Sequence, residues 1–306
     1  MRVAFFGTPE FAVPSLRALL EEGFDVVGVV TQPDRPHGRS RSTLVPPPVK
    51  TVALEEGLPV LQPERPVGPF VAEFRGLEAD IAAVVAYGHL LKPDLLAVPR
   101  LGMINVHASL LPALRGAAPI QWAILNGLET TGVSIMQLEA GMDTGPVLHS
   151  IETEVAADET GGELTERLAE LGAAALIETL TFIEGGEVTP TPQDHARATH
   201  APKVNRQAAR LNWTRDAASV ARVIRAFDPE PGAWTLLDGQ EVKLFGARAA
   251  NGSGEPGAIL SSGKLLSIAA LVGAVEVAEI QPAGKKRMAT GDWLRGVGDV
   301  TALRFT

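Results

Sequence analysis

Asn105 and His107 stand two residues apart in the uncharged stretch 103–107. Successive residues of a strand point to opposite faces, so an amide and an imidazole would share one side where this strand ends. Asp143 follows 36 residues after His107, beside Thr144 and Gly145 in a turn-forming stretch. Amide, imidazole and carboxylate are together the groups needed to polarise a carbonyl and to move protons around it. The same residues also allow a structural reading, a histidine closing a strand end beside a capping asparagine. On residue types and spacing alone both readings stand. His37, His89, His149, His195 and His200 show no ligand spacing with another histidine or a carboxylate, so no metal is expected.

The elements that must position these residues alternate along the first half of the chain. Apolar stretches at 2–6, 25–31, 58–62, 81–86, 103–107, 131–137 and 147–155 read as strands. Helical stretches at 10–22, 49–56, 71–76, 118–126 and 160–185 lie between and after them, the last with Thr160 as N-cap. The segment between 31 and 48, rich in Pro, Arg and Gly, reads as a long loop. Near-continuous apolar strands between helices indicate an α/β domain, a Rossmann-like, doubly wound, mostly parallel sheet. Its site would lie beyond the carboxyl ends of the strands, where Gly7, Tyr87, His107 and Asp143 fall. The first turn, from Gly7 to Phe11, is not G-x-G-x-x-G, and no acidic residue sits where a dinucleotide site would need one. A close-packed turn beside a substrate is expected there.

After residue 185 the pattern breaks. Pro190, Pro192 and a polar run to Asn205 read as a linker, giving a first domain 1–189, a linker 190–207 and a second domain 208–306. A helix at 216–226 precedes short strands near 233–237, 241–247, 257–260, 265–270 and 275–281. Such spacing predicts a small β-barrel of OB-like type.

The 306 residues suit two domains of about 150 each, and 45% hydrophobic content suits a soluble protein with a large core. No apolar run approaches the roughly 20 residues of a membrane span. The apolar start is too short for a signal peptide, so the protein is expected in the cytoplasm. The absence of cysteine excludes disulfides, thiolate zinc sites and cysteine nucleophiles. The net charge of −9 is uneven: residues 1–189 carry 12 basic and 25 acidic side chains, residues 190–306 carry 15 and 11. A basic second half on an acidic first half hints at a polyanion partner. Two basic clusters could meet a phosphate backbone: Arg35, Arg39 and Arg41 in the long loop, and Lys285, Lys286 and Arg287 after Gly284.

Taken with their neighbours, these residues are recognisable. Asn105, His107, Ser109, Leu110, Leu111, Pro112, Arg115, Gly116, Pro119 and Ile120, followed by Asp143, Thr144 and Gly145, resemble the signature of the 10-formyltetrahydrofolate-dependent formyltransferases. Phe6–Gly7–Thr8–Pro9 with Phe11, the run from Thr31 to Arg39, Pro48–Val49–Lys50, Val84–Gly88, Arg225–Phe227 and Gln281–Lys286 extend the resemblance over essentially the whole chain, toward the branch of methionyl-tRNA formyltransferases. The resemblance implies formyl transfer from 10-formyltetrahydrofolate to the amine of initiator methionyl-tRNA, for translation initiation. It implies Asn105, His107 and Asp143 as the catalytic trio. It implies a folate site at Ser109, Leu110, Leu111 and Pro112, with the backbone of Ala86, Tyr87 and Gly88, and Leu90. It implies tRNA contacts at Arg39, with Arg41 nearby, and at Lys203, Lys285 and Lys286; Phe11 is assigned to the methionine pocket. Family precedent implies a monomer without a metal. Other folate formyl enzymes, acting on amino sugars or hydrolysing formylfolate, share the trio but need no basic loop. A non-catalytic RNA-binding protein with a degenerate enzyme domain is the competing reading from another class.

Overall fold

The computed structural model describes the chain except residues 38–42, 263–264, 298–299 and 301–302. It divides into two compact units: Met1–Gly116, Thr131–Thr153 and Thr165–His200 form the first; Ala117–Thr130, Glu154–Leu164 and Ala201–Thr306 form the second.

In chain order the first half runs β1 (Arg2–Gly7), α1 (Val13–Glu21), β2 (Asp25–Val30), β3 (Arg35–His37), β4 (Thr43–Val45), α2 (Pro48–Glu55), β5 (Val60–Leu61), α3 (Pro69–Arg75), β6 (Ile81–Val85), α4 (Pro93–Leu96), β7 (Met103–His107), α5 (Pro119–Leu125), β8 (Thr130–Gln137), β9 (Val147–Glu154) and α6 (Gly161–Gly185). Seven strands form one sheet in the order β5-β2-β1-β6-β7-β8-β9. The pairs from β5 to β7 are parallel, while β8 runs antiparallel to β7. This is the mixed, mostly parallel Rossmann-like sheet that the strand composition leads one to expect. β6 is buried along its whole length, as a strand of Ile, Ala and Val covered on both faces should be. Beneath the strand ends Phe6 packs edge-on against Phe74 and Tyr87, with ring centroids 5.1 and 5.3 Å apart.

The long loop after β2 is not wholly irregular. β3 and β4 pair as a short antiparallel hairpin, with Arg35 opposite Val45 and His37 opposite Thr43. Prolines and arginines hide so short a pairing from any periodicity argument.

The second unit holds α7 (Ala217–Ala226), β10 (Ala233–Leu237), β11 (Gln240–Ala250), β12 (Ile259–Ser262), β13 (Leu266–Ala269), β14 (Ala274–Pro282), β15 (Met288–Ala289) and α8 (Thr290–Val297). The strands form one antiparallel sheet, β10-β11-β14-β13-β12, with β15 also on β14. α7 turns Val220, Ala221 and Ile224 inward and packs on β11 and α5. β15 and α8 are additions to the expected elements. A two-residue strand carries no period, and Gly291 and Gly296 weaken the helical signal of α8.

α6 begins on a reciprocal cap. The Glu163 amide donates to Thr160 Oγ1 at 3.2 Å, while the Thr160 amide and hydroxyl donate to Glu163 Oε2 at 2.9 and 2.8 Å. These bonds from Thr160 hold the Glu163 carboxyl below its usual range. A carboxyl depressed on folding adds stability above its unfolded value, and loses it as pH falls through the folded one. Thr160→Ala should cost about 1 kcal/mol at neutral pH. Thermal unfolding of both proteins from pH 7 to pH 3 should show the gap between them narrowing as the carboxyl protonates.

Candidate active site

β7 carries Asn105 and His107 on one face and ends at His107. Parallel pairing sets Asn105 beside Val84 of β6, and antiparallel pairing sets His107 opposite Ser134 of β8. His107 is buried and Asn105 half-buried. The Asn105 amide makes no hydrogen bond among the described residues. His107 Nε2 lies 3.0 Å from the carbonyl oxygen of Leu114. A carbonyl only accepts, so Nε2 carries a proton and donates it. The other nitrogen, Nδ1, then faces Asp143 Oδ2 at 3.9 Å, beyond a hydrogen bond but inside the range of a charge pair. The same carboxylate oxygen accepts the Gly116 amide at 2.8 Å. The structure thus brings His107 and Asp143 together, with Asn105 along the strand on the same face. An imidazole beside a carboxylate, with an uncommitted amide nearby, can steady negative charge on a carbonyl oxygen and pass a proton.

The chain after β7 folds back on itself to supply those partners. Ser109 Oγ donates to the Ala113 carbonyl at 2.6 Å. Ser134 Oγ donates to the Ser109 carbonyl at 2.8 Å and accepts the Leu111 amide at 3.0 Å. Ser109 is therefore buried scaffold, its amide also bonded to the His107 carbonyl at 2.9 Å. Leu110, Leu111 and Pro112 are half-buried.

The segment 86–90 divides by role. Ala86 and Gly88 are exposed and both left-handed, at φ 47° and 87°. The left-handed backbone at Gly88 favours glycine, and a Cβ there would also fall 2.5 Å from Gln32 Nε2 and push that amide aside. Tyr87 points the other way. Its ring is in the core, burial pushes its phenol up to about 12, and its carbonyl accepts Gln32 Nε2 at 2.9 Å and Thr8 Oγ1 at 3.1 Å. Leu90 is 73% exposed, the largest such value among the exposed apolar residues described. Phe11 is half-buried in the single turn Glu10–Ala12.

Residues 191–200, which composition assigns to a linker, are a strap on this framework. Thr191 and Val147 exchange amide bonds at 2.9 and 2.8 Å. Thr199 accepts the Arg115 amide on its carbonyl and the Leu114 amide on its hydroxyl, both at 2.9 Å. Gln193 reaches Arg115 on one side and the turn 143–145 on the other. Composition could not reveal this, because a short polar run bounded by prolines reads alike whether it is tethering or packed.

Of the basic residues, Arg39 and Arg41 lie outside the described residues. The foot of the β3–β4 hairpin is fixed: Lys50 Nζ is 2.8 Å from both oxygens of Asp34, and Gln62 Nε2 donates to Asp34 at 2.8 Å. Gln62 and Lys50 hold the Asp34 carboxyl below its usual range. In the second unit Lys203, Lys285 and Lys286 are exposed, and none has an ion pair among the described residues. Arg287 differs. It pairs with buried Asp228 at 2.7 Å and with Glu279, over the ring of Phe245. Arg206 and Arg210 flank the Trp234 ring at 4.7 and 5.3 Å. Arg210 also lines a cleft of about 650 Å³ with Asn212, Thr214 and Arg304, well removed in the chain from the trio.

Two family models match this chain: Formyl transferase over residues 1–180, and Formyl transferase, C-terminal domain, over residues 203–298. Among curated relatives, the methionyl-tRNA formyltransferase of Citrifermentans bemidjiense is 47% identical over 298 residues, 97% of this chain and 93% of that protein. That of Myxococcus xanthus is 47% identical over 297 residues, 96% of this chain and 95% of that one. The chain belongs to the formyltransferase family, in its methionyl-tRNA formyltransferase branch. Its fold is shared by WlaRD, a sugar 3N-formyl transferase solved with dTDP and 5-N-formyl-THF: TM-score 0.71, 16% identity, 94% of this chain and 99% of that one. It is shared too by HypX from Aquifex aeolicus, solved with tetrahydrofolic acid: TM-score 0.68, 20% identity, 96% of this chain and 47% of that one.

The turn that carries Asp143 allows no extra atom at its end. A Cβ on Gly145 would sit 1.9 Å from the Gln137 carbonyl oxygen. Gly145→Ala should therefore displace the turn and cost about 1–3 kcal/mol by urea unfolding. An unchanged midpoint would show that the turn tolerates displacement.

Proposed function

We infer that this chain transfers the formyl group of 10-formyltetrahydrofolate to the α-amine of methionine on initiator methionyl-tRNA, the step that prepares this tRNA for translation initiation. The observation that carries the reading is the His107–Asp143 pair beside Asn105, in a chain of this family. The neutral amine attacks the formyl carbon. A nitrogen–carbon bond forms as the bond to N10 of the folate breaks, and one amine proton ends on N10. Negative charge builds on the formyl oxygen meanwhile. Asn105 donates a hydrogen bond to that oxygen, and His107, when protonated, adds its charge. Asp143 faces Nδ1 of His107, which stabilises the imidazolium and offers a site through which the amine proton can leave. The aminoacyl ester removes the carboxylate of free methionine and makes the amine less basic, so more of it is the nucleophile.

The folate site of this reading consists of Leu110, Leu111 and Pro112 with the backbone of Ala86 and Gly88; exposed Leu90 is suited to cover an aromatic ring. Ser109 and Tyr87 serve it as scaffold, since their polar groups are turned inward. Arg39 and Arg41 are assigned to the acceptor end of the tRNA, and Lys203, Lys285 and Lys286 to its phosphate backbone. Phe11 is assigned to the methionine side chain. The division into a catalytic domain over 1–189, a linker over 190–207 and an RNA-binding domain of OB-like type over 208–306 belongs to the same proposal, as does a cytoplasmic monomer. No described helix is long and apolar enough to cross a membrane.

Formyl transfer to charged initiator methionyl-tRNA, run beside charged elongator methionyl-tRNA, tests the reading directly. Strong preference for the initiator supports it; formate release or amino-sugar labelling with transfer to neither tRNA overturns the tRNA assignment. Asn105→Ala should lower kcat by roughly 100- to 1000-fold with little change in either KM. A binding loss without a turnover loss would remove Asn105 from the transition state. Paired alanines at Lys285 and Lys286 should weaken tRNA binding and flatten the slope of log affinity against log salt by about one unit per lysine. A slope unmoved by both substitutions removes these lysines from the interface.

A further inference from the structure

We propose that Gln193 is a positioning residue for the reaction: it holds the main chain of Asp143 so that the carboxylate faces His107, and Arg115 fixes Gln193 in the orientation that does so. The proposal rests on the reading of Asp143 as a participant in proton transfer.

Asp143 has φ 51°, a left-handed conformation that aspartate visits more readily than most side chains, so that holding the turn in this one shape takes enforcement by its surroundings. Gln193 Nε2 supplies that enforcement. It donates to the Asp143 carbonyl at 3.0 Å and to the Gly145 carbonyl at 2.7 Å, so both amide hydrogens grip the two ends of the turn. The carboxylate is thereby delivered to the Gly116 amide at 2.8 Å and to His107 Nδ1 at 3.9 Å.

The amide orientation is not free. Arg115 donates to Gln193 Oε1 from Nε at 3.0 Å and from Nη2 at 2.6 Å. A guanidinium has donors only, so it selects the oxygen and turns the NH2 group toward the turn. Gln193 and Arg115 are 9% and 5% exposed, so neither is held by solvent. Arg115 has no carboxylate partner among the described residues; its other contact is His195 Nδ1 at 3.1 Å. A buried cation paired with a neutral amide is an unusual choice if the role is stability alone, because a carboxylate would neutralise it. A carboxylate in this place could not donate to two carbonyls. The amide therefore serves what a carboxylate could not, the grip on the turn.

Gln193→Glu separates the two roles. It keeps the shape and gives Arg115 an ion pair, yet faces the carbonyls of Asp143 and Gly145 with oxygen in place of NH2. The protein should fold, since the shape is kept and the ion pair with Arg115 offsets part of the two lost hydrogen bonds. Its kcat should fall about 100-fold, as for a reacting group displaced by about 1 Å. Both KM values should stay within about threefold of the parent's, because no substrate contact is removed. In an Asp143→Asn background the same change should alter kcat by less than about threefold, since there is no carboxylate left to position.

A Gln193→Glu enzyme with parental kcat, or penalties that multiply in the double variant, overturns the proposal. Asp143→Asn alone at parental kcat would remove the reading of Asp143 and this proposal with it. A slow Asp143→Asn beside a fast Gln193→Glu removes only this proposal. Gln193→Met, an uncharged side chain of similar volume with no donor, reports on the same grip if the glutamate variant does not fold, and is expected to lose kcat in the same way.

Discussion

The bond from His107 Nε2 to the carbonyl of Leu114 commits one imidazole nitrogen to the protein and thereby decides what the other can do. It requires the chain to leave β7, run outward through residues 109–113, and return seven residues later with a carbonyl in hand. Leu114 makes that return in a left-handed conformation, at φ 57°. The inner bonds of Ser109 and Ser134 hold the loop in that shape. With Nε2 tied down, Nδ1 is the only ring nitrogen left to face Asp143, so tautomer and ring orientation are settled by one main-chain acceptor. The loop, the serine on the neighbouring strand and the strap across 191–200 all serve to keep that acceptor in place.

Around this bond main-chain groups are paired without spending the functional side chains, while the buried Tyr87 hydroxyl has no partner among the described residues. Thr8 and Gln32 absorb the Tyr87 carbonyl, which leaves Ala86 and Gly88 to present their backbone outward. The Gly116 amide takes one oxygen of Asp143 without neutralising it. The left-handed residues Ala86, Leu114 and Asp143 mark where this arrangement strains the backbone. Each lies in a loop beyond a strand end, where such strain is kept only if neighbours over-determine it.

Much of this is legible in the sequence, for physical reasons that differ by element. Buried strands such as β6 and β7 announce themselves by runs of apolar residues. That Asn105 and His107 share a side is visible because strand alternation fixes which side chains share a face; Asp143 joins them in the sequence only through the family resemblance. What cannot be read are contacts made across long separations. Gln193 lies 50 residues from Asp143 and 78 from Arg115, and no local rule connects them. The β3–β4 hairpin escapes for the opposite reason: three residue pairs are too few to show a period. Charge alone groups Arg287 with two lysines, whereas its ties to Asp228 and Glu279 make it a member of the turn's frame.

Asp34, Lys50 and Gln62 pin the base of the β3–β4 hairpin, and Gln32 ties the same base to the segment 86–88. Closing a longer loop on fixed ends costs only about 0.6 kcal/mol for each doubling of its length. The base and the glycine turn beside it are therefore held by contacts that do not depend on the chain between the two strands.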